Sequence, residues 1–351
     1  MSIRFDHALS FDPIQQSAWM QLVLAAAGVV TCIAAVALVA GALSRPPHLR
    51  IAAAAGIVIP GGILAYLLAV PAHPTTYLVS SVQYTADAIA TGSTLYATNC
   101  SACHGGGGRG DDSVALFATN PRRNLDDRVP GCREGDLFWS IARGVPGTPM
   151  PGFASQLNDV EIWSLIQYLD ARSAAQNALA MSDRIKPLRP VPAPDFTYEL
   201  MGHAQESLRL PSDNRVTLLV FYTLPFSLPR LRELAMLEHG YATAGARVTA
   251  LPMPESSTPT ALDTGSDSES MLAFASSAVA TTYLMFAREG RAVDGSPPAH
   301  LEYLIDRFWF LRLRWIGAPE AADGQAANLL GQIDVLVHEP PRALVQWGHG
   351  H

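Results

Sequence analysis

The chain has 351 residues and a formal net charge of −7, with 24 lysines and arginines against 31 aspartates and glutamates. Lys186 is its only lysine, and no basic run occurs; a mildly acidic chain without a basic stripe lacks the electrostatic footprint of a nucleic-acid binder. The length suits two or three domains, and four cysteines, Cys32, Cys100, Cys103 and Cys132, do not make a disulfide framework.

Apolar residues, 49% of the whole, crowd the first 70 positions. Trp19–Leu43 is 25 residues without a charge, and Ile51–Val70 is another 20. At about 1.5 Å per residue, each can cross a hydrocarbon layer of about 30 Å. A cleaved leader is the other reading of the first stretch. Against it, the run is long, no basic cluster precedes it and a second run follows. The connecting SRPPHLR carries Arg45 and Arg50, which the positive-inside rule assigns to the cytoplasm. The expectation is a two-helix membrane anchor over residues 1–72, spanning about 19–43 and 51–70 and touching lipid. It would sit in a bacterial inner membrane, with everything after about residue 72 periplasmic. Cys32, inside the first run, reads as a small buried hydrophobe.

Residues 100–104 are CSACH, followed by four glycines. A redox dithiol would need no histidine. A structural zinc site would need two further ligands, and Cys132 is the one spare cysteine nearby. The C-x-x-C-H spacing is that of c-type haem attachment. In this reading Cys100 and Cys103 become thioethers and His104 is the proximal ligand of the iron. A sixth ligand is then required downstream. GVPGTPMPGF supplies Met150 between two prolines, 46 residues after His104. Proline fixes φ and stiffens such a loop, and His/Met ligation is an electron-transfer arrangement.

The flanks suit this reading. Ala86–Asn99 is a helix candidate that runs into CSACH. Asn158–Arg172 is a second, with Asn158 as N-cap, Glu161 three residues on, and Ile162, Leu165, Ile166 and Leu169 on one face. GDLFWSIARG between them is a shorter helix. The glycine run lacks the lysine of a phosphate loop and reads as backbone packed close to the porphyrin. Arg109 has two readings, a propionate partner or a solvated arginine.

Residues 85–172 closely resemble the class I cytochrome c family, with Gly92 and Tyr96 at the family's positions on the first helix and Leu165 and Tyr168 on the last. The resemblance implies an all-α domain, two helices crossing at the glycine, one covalent haem c, and iron ligands His104 and Met150.

Residues 173–213, including KPLRPVPAPD, read as a proline-rich linker. From there to about 345 the pattern is α/β. Val216–Tyr222 is a fully apolar strand, Pro229–Gly240 a helix with Leu231, Leu234 and Leu237 inward, and Arg247–Met253 the next strand. Thr282–Ala287 follows, then Leu301–Trp315 as a hairpin and Asn328–Val337 as a closing helix. FYTLPFSLPRLREL and YLIDR resemble phrases of the thioredoxin fold, nearest its copper-chaperone and peroxiredoxin-like branches. Leu224 and Leu228 stand at the approximate cysteine places, and the domain contains no cysteine, so thiol chemistry is excluded there. His300 lies near the place of the chaperones' copper-binding histidine.

The order of apolar spans, HPTTYLVSSVQYTADAIATGSTLY, haem domain and thioredoxin-like tail resembles CopD-type copper-resistance proteins fused to cytochrome c. Within that resemblance His73 reads as a remnant ligand or an interfacial histidine, and the terminal His349 and His351 read as a tail. The expected fold class is therefore multidomain: two transmembrane helices, an all-α cytochrome c domain and an α/β thioredoxin-like domain. The expected function is one-electron transfer with a redox protein partner: a cytochrome, an oxidase or a cupredoxin. Two alternatives stand beside it: copper handling, in which the haem changes the redox state of copper, and a docking subunit of a larger redox complex.

Overall fold

The computed structural model describes residues 62, 78–109, 124–185, 191–200, 205–209, 214–254, 271–287, 298–317 and 323–340. Helix α1 is Ala86–Asn99. Thr85 caps it, its hydroxyl accepting the Ala88 N–H at 3.2 Å, and Asp87 lies in the first turn, where the helix dipole favours an anion. Ile89, Gly92 and Tyr96 fall on its buried side. The single turn α2, Ser101–His104, begins where α1 ends, with Cys100 between them. After α3, Leu125–Arg128, and a 3-10 turn at Val129–Gly131, α4 runs Glu134–Arg143.

Helix α5, Asp159–Ala178, has a complete capping box: the Asn158 side chain accepts the Glu161 N–H at 3.0 Å, and Glu161 accepts the Asn158 N–H at 2.8 Å. Ile162, Leu165, Ile166 and Leu169 are all buried, as their 3.6-residue period requires.

The α/β part contains β1 Val191–Pro192, β2 Thr197–Leu200, β3 Gln205–Ser207, β4 Val216–Tyr222, α6 Leu228–Thr243, β5 Ala246–Pro252, β6 Ala273–Ala275, α7 Ser277–Ala287, β7 His300–Ile305, β8 Phe310–Ile316 and α8 Asp323–His338. The main sheet has order β1-β8-β7-β4-β5 and the smaller sheet β3-β2-β6. β4 pairs parallel with β5 and antiparallel with β7, and β7 pairs antiparallel with β8. The core order β5-β4-β7-β8 with α6 crossing over is that of a thioredoxin-like layer.

Alternation along β4 separates two cores, because successive side chains leave opposite faces of a strand. Val216, Leu218, Val220 and Tyr222 join Leu231, Leu234, Ile333 and Leu336 of α6 and α8. Leu219 and Phe221 join Tyr283 of α7 on the other face, in a cluster that continues without a break into Ile89, Ile162, Leu165 and Ile166 of the helical part.

Polar bonds reinforce this seam. The Ala86 N–H donates to the Asp195 carbonyl at 2.8 Å, and the Asp195 N–H to the Tyr84 carbonyl at 3.0 Å. The Thr282 hydroxyl donates to the Ala86 carbonyl at 3.0 Å and that of Ser276 to the Asp87 carboxylate at 2.7 Å.

Two expectations are revised. The fold class loses its two transmembrane helices: among the described residues no helix is long and apolar enough to cross a membrane. The longest of these helices, α5, has 20 residues and carries Asp159, Glu161, Asp170 and Arg172, which suit a helix lying against protein and water. The segments 19–43 and 51–70 lie outside the described residues except for Gly62, as do Cys32, His73, His349 and His351. Second, the stretch 173–213 holds β1, which pairs with β8, and β2, which pairs with β3 on one side and β6 on the other. Thr282–Ala287 lies within helix α7.

Candidate functional site: the CSACH turn and the Met150 loop

The turn bearing Cys100, Cys103 and His104 is positioned by the crossing of α1 and α5. At Gly92 the helices touch backbone to backbone: a Cβ there would stand 2.1 Å from the Ser164 carbonyl oxygen and 2.7 Å from the Tyr168 Cβ. One turn later the rings of Tyr96 and Tyr168 tilt against each other with centroids 5.3 Å apart. The Tyr96 hydroxyl donates to the Gly105 carbonyl at 2.8 Å, inside the core, and so ties the residue after His104 to α1.

Gly105 and Gly108 are buried with φ of 76° and 65°, a region that glycine enters without strain. Arg172 of α5 closes over this run. Its Nε donates to Asp126 at 3.0 Å and its Nη1 to the Gly106 carbonyl at 3.4 Å. Arg109 also reaches Asp126, at 3.4 Å, and Gln176, at 3.1 Å. The glycine run is thus stapled to α5, and both arginines are engaged with protein groups.

The Met150 loop is clamped at the end of α4. The Val145 N–H donates to the Met150 carbonyl at 3.2 Å. Beyond the methionine, Phe153 and Ala154 donate to the carbonyls of Ile141 and Ala142 at 2.9 and 3.1 Å. The Thr148 hydroxyl lies 3.3 Å from the Met150 N–H, which it accepts. Gly144, at φ 76°, leaves room for the returning strand, since a Cβ there would meet the Met150 carbonyl oxygen at 2.7 Å.

Cys100, Met150, Leu95, Leu137 and Phe153 pack against one core cluster yet remain only partly buried. Cys103 is exposed, and Cys100 and Cys132 are half-buried. Burial first, and then the neighbouring Cys103, push the Cys100 thiol up to about 11. A dithiol oxidoreductase needs the opposite shift to hold a thiolate. Among the described residues no group of three or more His, Cys, Asp or Glu side chains converges as a metal site, so the zinc reading finds no ligand set there. Haem c fits these residues: two thiols and an imidazole on one turn, a thioether on a stiffened loop, and a rim of half-covered apolar side chains.

In the α/β layer, a buried charge network links the start of α6 to β7. Ser227, His300, Glu302 and Arg230 are all buried. His300 Nδ1 lies 2.9 Å from the Ser227 hydroxyl and Nε2 lies 2.9 Å from Glu302. Arg230 grips Glu302 with Nε at 2.8 Å and Nη2 at 3.0 Å, and Glu233 with Nη1 at 2.9 Å. Both ring nitrogens of His300 are therefore engaged within the protein. Glu302 in the apolar run HLEYLI was the one local hint of this network; its partner Arg230, 72 residues earlier, left no local trace. The Arg172–Asp126 staple was equally invisible, its members being 46 residues apart.

Fold and site together define a c-type cytochrome unit joined to a cysteine-free thioredoxin-like layer. Residues 87–169 match the family described as cytochrome c oxidase, cbb3-type, subunit III. No curated protein sequence matches the chain. Among solved structures, it is similar to a thiol:disulfide interchange protein of the thioredoxin family from Chlorobium tepidum TLS (14% identity, 42% of this chain and 97% of that one, TM-score 0.34). It is also similar to BsSco, a member of the Sco family of cytochrome c oxidase assembly proteins (15% identity, 44% and 99%, TM-score 0.30). A third similar structure is Mycobacterium tuberculosis AhpC (13% identity, 46% and 96%, TM-score 0.30).

Proposed function

We propose that the protein is a single-haem electron carrier working in the periplasm with a redox protein partner: a cytochrome, an oxidase or a cupredoxin. Cys100 and Cys103 would hold haem c by two thioether bonds, with His104 and Met150 as the two ligands of its iron. When bound, that group supplies a one-electron couple. The chain's own part is to fix the ligands and shape the surroundings. Tyr96 and the Arg172–Asp126 pair hold the turn after His104, and the clamp on α4 orders the Met150 loop before any ligand is bound, which lowers the entropy cost of ligation. A thioether in the sixth position raises the potential and leaves no vacant coordination site for a small substrate.

The observation that carries this reading is the CSACH turn at the end of a helix that crosses α5 at Gly92, within the stretch matched to a cytochrome family. The test is the pyridine haemochrome spectrum of the purified chain. Bands of a haem attached through two thioethers, at one per chain, are expected; a colourless chain with both thiols titratable overturns the reading.

A second reading is favoured by the matched family's description as an oxidase subunit: the chain works as one subunit of a larger redox complex, with the α/β layer as its docking module. Stoichiometric co-purification of other subunits supports it, and a monodisperse single chain rejects it. Copper handling loses its ground, since the α/β layer has no thiol and His300 is fully engaged.

A further inference from the structure

Helix α5 is buried at eight consecutive positions, Ile162 to Leu169. A helix lying on one core hides a single stripe, so α5 is covered from two sides. On one side stand the other helices. α1 meets it at Gly92 and Ser164, and the Phe138 ring of α4 stacks on Trp163 with centroids 4.6 Å apart. On the other side stands the α/β layer. Helix α7 packs against both α1 and α5, and β1 packs against α5.

Helix α7 is the joining piece. Seven of its eleven residues are buried. The Tyr283 ring lies 5.4 Å from that of Phe221, 5.7 Å from Tyr303 and 5.8 Å from Phe196. Its hydroxyl donates to the Pro194 carbonyl at 2.8 Å. These side chains share one core with Ile89, Ile162 and Leu165. Backbone groups meet across the same seam. Thr85 forms a β-bridge with Asp195, and the Arg314 N–H donates to the Ser182 carbonyl, just beyond α5, at 3.1 Å. Domain contacts within a chain are usually polar enough to allow relative motion; this one is a continuous apolar core. The CSACH side differs. Leu95, Cys100, Leu137, Met150 and Phe153 are only partly buried, so the α1–α5 crossing does not take its burial from that face.

We propose that the α/β layer is a binding module whose ligand is the helical unit of its own chain. It supplies the core that holds α1 and α5 together, so the chain reaches this fold without haem and keeps CSACH as a formed turn. The mention of haem rests on the electron-carrier reading above; the shared core does not. A layer without a thiol thereby has a role that needs no redox chemistry of its own.

The test is amide hydrogen exchange on the full chain carrying Cys100→Ser with Cys103→Ser, which removes both thioether anchors. The amides of Tyr96 in α1 and Leu165 in α5 should be slowed by at least about a thousandfold. Leu219 in β4 should be slowed to the same degree, because all three open as one unit. Two lesions in this haem-free chain probe the coupling from opposite sides of the seam. Gly92→Ala should speed exchange in α5 and β4 by one common factor, about 5- to 150-fold. Thr282→Val, which removes the buried donor to the Ala86 carbonyl, should do the same by about fivefold. Wild-type chain from haem-deficient cells should show the protection of the double variant, and it decides where the two differ. Protection of β4 with free exchange in α1 and α5 overturns the proposal, as does a Gly92→Ala effect confined to the helices. Either result leaves a haem-loaded electron carrier intact. A colourless wild type with protected helices does the reverse.

Discussion

Gly92 and Ser164 meet backbone to backbone: the carbonyl oxygen of Ser164 stands 2.1 Å from where any side chain on Gly92 would begin. Neither wall is a flexible side-chain tip, so the helices would have to separate. Gly92→Ala is expected to cost about 1–3 kcal/mol, the usual penalty for overpacking. The check is a urea denaturation curve whose midpoint drops at constant slope. An unshifted midpoint would mean that α1 and α5 do not approach so closely.

Tyr96 touches the same crossing and adds a bond to the turn after His104. Tyr96→Phe keeps the ring against Tyr168 but leaves the buried Gly105 carbonyl without its 2.8 Å donor. A loss of about 1 kcal/mol is expected, with haem content unchanged. Loss of haem incorporation in this variant would instead make the hydroxyl part of the attachment machinery.

Met150→Ala isolates the loop's chemistry from its fold, because the clamping bonds around position 150 run through backbone groups. The variant should retain its haem, show a lower midpoint potential and bind carbon monoxide in the reduced state. A spectrum and potential identical to wild type would remove Met150 from the iron.

Elements whose signals are local were legible in the sequence. The cap Asn158 with Glu161, the 3.6-residue stripe of α5 and the unbroken apolar run of β4 each specify their element from within. Helix α7 was harder: its residues Val279–Ala287 are apolar and buried nearly all round, so period alone does not separate helix from strand. Strands β1 and β2 are two and four residues long and pair with β8 and β6, information held elsewhere in the chain. The candidate site divides in the same way. CSACH and the proline-flanked methionine can be read directly, whereas Asp126 beneath the glycine run is brought there only by the fold.

The buried network at Glu302 should govern acid stability. Burial by itself would raise its pKa, but hydrogen bonds from His300 and Arg230 outweigh it and lower the carboxyl from 4.5 to about 2. A depressed folded pKa contributes stability that is present above the unfolded value and lost as pH falls toward the folded one. The loss is therefore expected between about pH 5 and pH 2, and the full shift corresponds to roughly 3 kcal/mol. Glu302→Gln should flatten this part of the stability profile. It should also lower stability at neutral pH by about 3–5 kcal/mol, because Arg230 is left as a buried charge with weakened pairing. A neutral-pH midpoint equal to wild type would show that the ion pair is not buried.

Asp170 should act in the opposite direction. Its folded pKa is raised from 3.8 to about 7, by burial and then by Glu134. A raised folded pKa gives stability that is complete below the unfolded value and disappears as pH climbs through the folded one. This group therefore favours the folded chain at acid pH and opposes it above neutrality, where an ionised carboxylate must stay in the seam near Glu134. Asp170→Asn removes that charge. Its denaturation midpoint should exceed the wild-type midpoint above pH 7, and the gain should shrink as pH falls toward 4. Chemical denaturation of the two chains across this window tests the claim without reference to potential or colour. A difference that is independent of pH would mean that Asp170 is solvated and ionised throughout, and that the seam holds no titrating group.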